Sequence, residues 1–111
     1  MTINSRAKGA AAEREFANYL KTQGLNARRG QQFSGGAGSP DVVCEVLPHV
    51  HWEVKRVEKG NPYVWLHQAE KDAGGKIPVV AHRKNNEPWM AILPMRFLID
   101  LLRDAGHVKP D

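Results

Sequence analysis

The chain has 111 residues, of which 41% are hydrophobic and 25% charged, and its 16 lysines and arginines outnumber its 12 acidic residues to give a net charge of +4. This length predicts one domain, residues 1–111, with one core and no second catalytic module. The basic excess favours an anionic partner. Because no apolar segment is long enough for a membrane span and no signal-peptide layout opens the chain, we expect a cytoplasmic protein without a membrane partner.

The first predicted element is a helix over residues 5–23, with Ser5 as its cap and Gly24 as its stop. Its apolar stripe contains Phe16, Ala17 and Leu20. Glu13 lies on the same stripe by helical spacing, whereas Glu15 lies on the opposite side. An acid on a core face needs a partner unless it sits at the end of the stripe and reaches water, and both alternatives stay open.

Two apolar runs, residues 42–46 and 51–57, predict strands joined by a turn at Pro48 into a hairpin. Side chains alternate along a strand, so Glu53 and Lys55 project from one face. Asp41 opens the first run, and the hairpin would bring it to the same place. The sequence therefore predicts a site with two carboxylates and an amine. Cys44, the single cysteine, is expected to be a small buried residue in the first strand.

The second half predicts a helix that begins after the Asn61 cap and ends at Gly74, two strands over 77–81 and 89–93, and a closing helix over 95–102. The buried face of the first of these helices is predicted to be Trp65, Leu66, Ala69 and Ala73. The inner side of the closing helix is predicted to be Phe97, Leu98, Leu101 and Leu102. The element order αβββαββα indicates an α/β fold, a mixed β-sheet of about five strands flanked by helices.

The predicted acids favour a divalent cation. Two unpaired carboxylates about 4 Å apart repel each other by roughly 4 kcal/mol at an intermediate effective dielectric, and Lys55 alone cannot neutralise Glu13, Asp41 and Glu53. Carboxylate oxygens suit Mg²⁺, with Mn²⁺ as the alternative. Such a site suits hydrolysis of a phosphodiester bond.

The pair Pro40-Asp41 followed by Glu53-Val54-Lys55 resembles the signature of the PD-(D/E)xK nuclease superfamily. Together with residues 9–16, Arg28-Arg29 and the glycine-rich segment 34–41, it resembles the archaeal-type Holliday junction resolvases and their small phage relatives over about residues 6–83. The resemblance implies a restriction-endonuclease-like fold and a metal-dependent endodeoxyribonuclease that cuts branched DNA as a homodimer. It would act in DNA recombination, in the host cytoplasm if a phage encodes it.

The resemblance also implies roles for single residues. Lys55 would position the attacking water or help to deprotonate it, and Gln68 would support the metal site. The implied catalytic residues are Glu13, Asp41, Glu53 and Lys55, of which Glu13, Asp41 and Glu53 would be the metal ligands. Basic side chains near the motifs and serines of the glycine-rich loop are the predicted DNA contacts: Arg6, Lys8, Arg28, Arg29, Ser34, Ser39 and Arg56. Phe33 could stack on an unpaired base.

Other functions stay open on the sequence. One alternative is a phage-type nuclease or nickase without junction specificity, acting on duplex or flap DNA. Another is a catalytically inactive DNA-binding module, against which the intact Asp41, Glu53 and Lys55 argue. The glycine-rich loop can also be a connector without a ligand role. A zinc site at His49 and His51, which would share a strand face, lacks further cysteine or histidine partners.

Overall fold

A computed structural model describes residues 5–30 and 40–109 of the protein, with the side chains of the first helix described from Lys8 onward. The described elements follow the predicted order αβββαββα. In chain order they are α1 (Ser5–Thr22), β1 (Ala27–Arg29), β2 (Val42–Cys44), β3 (Val50–Arg56), α2 (Pro62–Ala73), β4 (Ile77–Arg83), β5 (Met90–Ile92) and α3 (Met95–Asp104). None of these helices is both long and apolar enough to cross a membrane.

The strands form one mixed sheet in the order β1-β2-β3-β4-β5. The pair β3-β4 is parallel and the other three pairs are antiparallel. Strands β2 and β3 form the predicted hairpin, in which Val42 lies opposite Trp52. The long connection that parallel strands require is α2, which joins β3 to β4. The predicted fold class, a restriction-endonuclease-like α/β fold with a mixed five-stranded sheet flanked by helices, is confirmed.

The main core lies between α1 and one face of the sheet. The aromatic ring of Phe16 on α1 packs at 5.3 Å from that of Trp52 on β3 and at 4.9 Å from that of Trp89. Cys44 is buried in this cluster, which confirms its predicted role as a small core residue. The other buried members are Ala17, Leu20, Ala27, Val42 and Ala81. The strand residues among them lie on the face of the sheet that points toward α1.

Helix α2 covers the opposite face and has the predicted ends. The Asn61 side chain accepts a hydrogen bond from the backbone N–H of Tyr63 at 2.9 Å, and Pro62 occupies the first turn. Gly74 closes the helix in the left-handed conformation with φ of 57°, which glycine adopts without a Cβ clash. Ala69 and Ala73 are buried as predicted, and Trp65 packs its ring on His82 of β4.

The prediction for the closing helix was right about its existence and only partly right about its inner side, because Phe97 and Leu102 are half-buried whereas Leu98 and Leu101 are exposed. No residue of α3 is buried, and Leu98 and Leu101 are 36% and 44% exposed. Helix α3 follows β5, which is the edge strand of the sheet, so it lies at the margin of the fold and only part of its apolar surface meets the described chain. Periodicity identified an apolar side, but it did not specify what would cover that side.

Candidate active site

Asp41 is fixed at the start of β2 by backbone contacts with both neighbouring strands. Its N–H donates to the carbonyl of Trp52 at 2.9 Å, and its own carbonyl accepts from the N–H of Gly30 at 2.9 Å. A Cβ on Gly30 would overlap the carbonyl oxygen of Pro40, so only glycine allows this close approach. Gly30 is a positioning residue that the sequence analysis missed. The available signal in the sequence was a glycine, Gly30, directly after Arg29 at the end of a short strand, since a glycine there can mark a close approach of two backbones.

The Asp41 carboxylate lies against β3. Its Oδ2 accepts a hydrogen bond from the backbone N–H of Val54 at 2.8 Å. Val54 is the residue between Glu53 and Lys55, so this bond brings the Asp41 side chain to the segment of β3 that carries the other two groups. The structure therefore assembles the predicted pair of fragments at one place.

Glu53 and Lys55 share the face of β3 that is covered by α2. Their register partners on the parallel strand β4 are Val80, which is fully buried, and His82. Glu53 is 6% exposed, whereas Lys55 is partly exposed. The carboxylate is thus removed from bulk water, while the ammonium group retains some access to it.

The charges at this place act on one another through the pKa of Asp41. That pKa is raised from 3.8 to about 7, mainly by burial and in addition by the negative charges of Glu53 and Glu13. The hydrogen bond from Val54 and the positive charge of Lys55 oppose the rise without cancelling it. All four predicted catalytic residues therefore contribute to one electrostatic site, which lacks enough positive charge to keep Asp41 ionised below pH 7.

Glu13 points inward from α1, as its helical spacing predicts. Its side chain is only 13% exposed, and its Oε1 accepts a hydrogen bond from Nε of Arg29 at 3.0 Å. The question that the sequence left open is thereby answered, because Glu13 has an ionic partner and does not simply reach water. Arg29 links β1 to α1 and fixes the orientation of this third acid.

The contact between His51 and Glu53 is the clearest feature of the site that the sequence analysis did not predict. His51 is 1% exposed, and its Nε2 lies 3.2 Å from Oε1 of Glu53. The signal was present, since His51 and Glu53 are two residues apart on a strand and must share a face. His49 lies in the exposed turn before β3, whereas His51 is buried within the strand.

The donor set fits a hard divalent cation by charge and by ligand type. Asp41 and Glu53 offer carboxylate oxygens in a partly desolvated, acid-rich setting. Within residues 5–30 and 40–109, no three His, Cys, Asp or Glu side chains converge closely enough to hold a metal ion by themselves. A closed cage is not what Mg²⁺ needs, because it keeps several waters and takes one or two carboxylates together with phosphate oxygens of a substrate.

The predicted DNA contacts fall into three groups. Lys8 and Arg28 are exposed, and Arg28 makes only a long ion pair of 3.7 Å with Glu45. Arg29 and Arg56 are engaged within the fold. Arg56 lies 3.2 Å from Glu15 and 3.6 Å from Glu58, with 23% of its side chain exposed. The third group comprises Ser34, Ser39 and the side chain of Arg6, which lie outside the described part of the chain, as does Phe33.

Glu15 and Gln68 differ in their contacts. The helical spacing predicts Glu15 on the side of α1 opposite the apolar stripe, yet its side chain is only 35% exposed and binds Arg83 at 2.6 Å in addition to Arg56 of the sheet. These contacts join α1 to β3 and β4. Gln68 is exposed on α2, and no hydrogen bond joins it to the described site residues.

Comparison with protein families matches the chain to the model of the archaeal Holliday junction resolvases (Hjc) over residues 4–106. The matched range contains Glu13, Asp41, Glu53 and Lys55 together with every described strand and helix. Comparison with curated proteins and with solved structures gave no match.

Proposed function

This chain belongs to the archaeal Holliday junction resolvase family, and we propose that it is a divalent-metal-dependent endonuclease that cuts four-way DNA junctions. Membership of the family makes the chain a nuclease, a hydrolase that acts on DNA. The finer proposal rests above all on the hydrogen bond that holds the Asp41 carboxylate between Glu53 and Lys55. That bond unites the two fragments on which the chemistry depends.

In this proposal Asp41 and Glu53 hold the cation, Mg²⁺ or alternatively Mn²⁺, and Glu13 adds the third negative charge. The cation supplies Lewis-acid stabilisation of the phosphate and a water of lowered pKa. Lys55 orients the attacking water, helps to remove its proton and offsets the charge of the phosphodiester. Arg29 holds Glu13 in place, and Gly30 allows the backbone approach that sets the position of Asp41.

We propose that Arg28 and Lys8 make the main contacts with the DNA backbone, because both are exposed and neither has a short ion pair among the described residues. Arg6, Ser34 and Ser39 remain predicted contacts. Arg29 and Arg56 would have to release their carboxylate partners before they could bind a phosphate, so we propose smaller contributions to DNA binding for these two residues. Branched DNA is the proposed partner because membership of the resolvase family supports it.

Paired, symmetric cuts require two active sites related by a two-fold axis, so we propose a homodimer. Exposed apolar side chains support association with a partner: Met95, Leu98, Ile99 and Leu101 on α3 are 36% to 67% exposed. Sedimentation equilibrium at micromolar concentration should give twice the mass of the 12.4 kDa chain. A single species of 12.4 kDa, in the presence and absence of a junction, would refute the dimer.

The test is a cleavage assay with end-labelled DNA as a four-way junction, flap, plain duplex or single strand, each with Mg²⁺, Mn²⁺ or EDTA. We expect paired cuts confined to the junction, dependent on the cation. Asp41→Asn and Glu53→Gln should each lower cleavage by more than about a hundredfold, because each removes a proposed ligand. Junction binding in EDTA should persist.

Asp100→Asn is a suitable control, since it removes an exposed carboxylate on α3 far along the chain from the site. It should cleave like the wild type. Equal cutting of plain duplex would replace the junction-specific proposal with a general nuclease. Unchanged cleavage by both site variants would overturn the assignment of the active site.

A further inference from the structure

Among the described residues, only two polar side chains are fully buried, His51 and Glu53, and they contact each other. We infer that His51 is a positioning residue, which occupies Oε1 of Glu53 so that the site binds a divalent cation through Oε2 alone and thereby favours Mg²⁺ over Ca²⁺. This inference rests on the proposed metal-dependent function and adds a determinant of cation choice.

The contact is built into the sheet. His51 and Glu53 lie two residues apart on β3, so their side chains project from the same face of the sheet. In the register with β4, His51 lies opposite Pro78, which has no backbone N–H. Nε2 of His51 lies 3.2 Å from Oε1 of Glu53, within hydrogen-bond distance. We assign the proton to Nε2 of His51, so that the imidazole N–H donates and the carboxylate oxygen of Glu53 accepts.

Burial makes this hydrogen bond consequential. A buried carboxylate without partners is costly, and in the described part of the chain His51 lies within hydrogen-bond distance of Glu53. The bond restricts rotation of the carboxylate group, and a metal-binding carboxylate is commonly oriented by such an outer partner. Rotation of Glu53 to use both oxygens for a cation would disturb the bond to His51.

The number of oxygens that Glu53 can offer bears on cation choice. Ca²⁺ accepts six to eight oxygens in flexible geometry and often takes a carboxylate through both oxygens. Mg²⁺ is smaller, requires near-octahedral geometry and is satisfied by one oxygen from each of one or two carboxylates. Engaging Oε1 with His51 therefore penalises Ca²⁺ more than Mg²⁺.

The experiment measures Mg²⁺ and Ca²⁺ binding to the DNA-free protein by isothermal titration calorimetry, so it does not depend on cleavage. His51→Leu should lower the ratio of the Ca²⁺ dissociation constant to the Mg²⁺ dissociation constant by about tenfold, the lower end of the effect of outer-shell changes. His51→Gln retains an N–H donor and should restore a ratio near that of the wild type.

His82→Leu is the matched control. His82 is also a strand histidine with a bonded Nε2, but its partner is the backbone carbonyl of Val57 at 2.9 Å. The control variant should leave the ratio of the Ca²⁺ dissociation constant to the Mg²⁺ dissociation constant unchanged. If His51 only fills space, then His51→Leu will change the midpoint of thermal unfolding without changing the ratio, and the inference is wrong.

A measurement on the wild type covers the case in which His51→Leu does not fold. Long-range ¹H–¹⁵N NMR correlations of the imidazole should show a proton on Nε2 of His51. A neutral ring protonated only on Nδ1 would overturn the inference, because Nε2 could not then donate to Glu53.

Asp41→Asn separates the inference from the proposal on which it depends. Metal binding by the wild type that Asp41→Asn weakens, together with equal ratios in the wild type and His51→Leu, would refute the role of His51 alone. Absence of Mg²⁺ binding to the wild type, both with and without uncleavable junction DNA, would refute the metal site and this inference together.

Discussion

The two faces of β3 differ in chemistry although they alternate along the same seven residues. Trp52 points toward α1, where its ring packs on Phe16. His51 and Glu53 point toward α2 and are buried more deeply than Trp52, which is half-buried. The face with Trp52 stabilises the fold by burial of apolar surface. The face with His51 and Glu53 buries polar groups, which is unfavourable unless they have partners. The strand shows how one short segment can position a site rigidly.

Removal of the apolar face should have the largest effect on stability. Trp52→Ala takes away the indole that packs on Phe16 and should lower the free energy of unfolding by about 3 to 5 kcal/mol, the range for aromatic-to-alanine changes in cores. Urea denaturation followed by circular dichroism would measure this change.

Tyr63→Ala provides the control for Trp52→Ala. Tyr63 is an aromatic residue on α2 that is 74% exposed, so its removal should change the unfolding free energy by less than about 0.5 kcal/mol. Similar losses in the two variants would contradict the assignment of Trp52 to the core.

The polar face of β3, which carries His51, Glu53 and Lys55, should make the stability of the protein depend on pH through the neighbouring Asp41. Burial and neighbouring acids raise the pKa of Asp41 from 3.8 to about 7, so between these values the folded protein binds this proton more tightly than the unfolded chain does. Stability without a cation should therefore fall as pH rises from about 4 to about 7, by at most about 4 kcal/mol for this shift. Urea denaturation in EDTA at each pH would measure the fall.

Asp41→Asn removes the titration and keeps an oxygen that can accept from Val54, so its stability should decline less across the same range. The difference between variant and wild type isolates the contribution of Asp41 to the pH dependence of stability. Parallel stability curves for the two proteins would contradict the raised pKa. Asp100→Asn, which alters a carboxylate that is 65% exposed, should follow the wild type.

Local sequence patterns were sufficient for much of this architecture. The Asn61 cap, the Gly74 stop and the period-two spacing of Glu53 and Lys55 are encoded within a few neighbouring residues, and each was predicted correctly. The same is true of the inward direction of Glu13 on α1. These features depend on backbone geometry and helical or strand period, which a sequence displays directly.

What the sequence could not supply depends on contacts between distant segments. The partner of Glu13 is Arg29, 16 residues away, and the ion pairs of Glu15 connect it to Arg56 and Arg83 across 41 and 68 residues. The apolar side of α3 was identified by period, but its burial depends on neighbours that no local pattern specifies. The contact of His51 with Glu53 was missed because a histidine near an acid is common, and only burial makes the pair distinctive.

The smallest predicted effect lies at the margin of the polar face, on Arg28. Arg28 lies opposite Val43 in the β1-β2 pair, and Val43 points away from the core that contains Val42. Arg28 therefore projects from the side of the sheet that carries Glu53, with 60% of its side chain exposed. Arg28→Ala should weaken junction binding in EDTA and reduce the slope of log affinity against log salt by about 1, the loss expected for one phosphate contact.

Arg103→Ala separates a specific phosphate contact from a general loss of positive charge. Arg103 is 46% exposed on α3, outside the polar face, and its removal changes the net charge by the same amount. Its salt slope should match that of the wild type. Equal reductions of the salt slope in both variants would mean that DNA binding depends on the overall charge of the protein. A wild-type slope for Arg28→Ala would mean that Arg28 does not contact a phosphate. A reduction confined to Arg28 would extend the functional side of the sheet from the acids on β3 to its outer strand, β1.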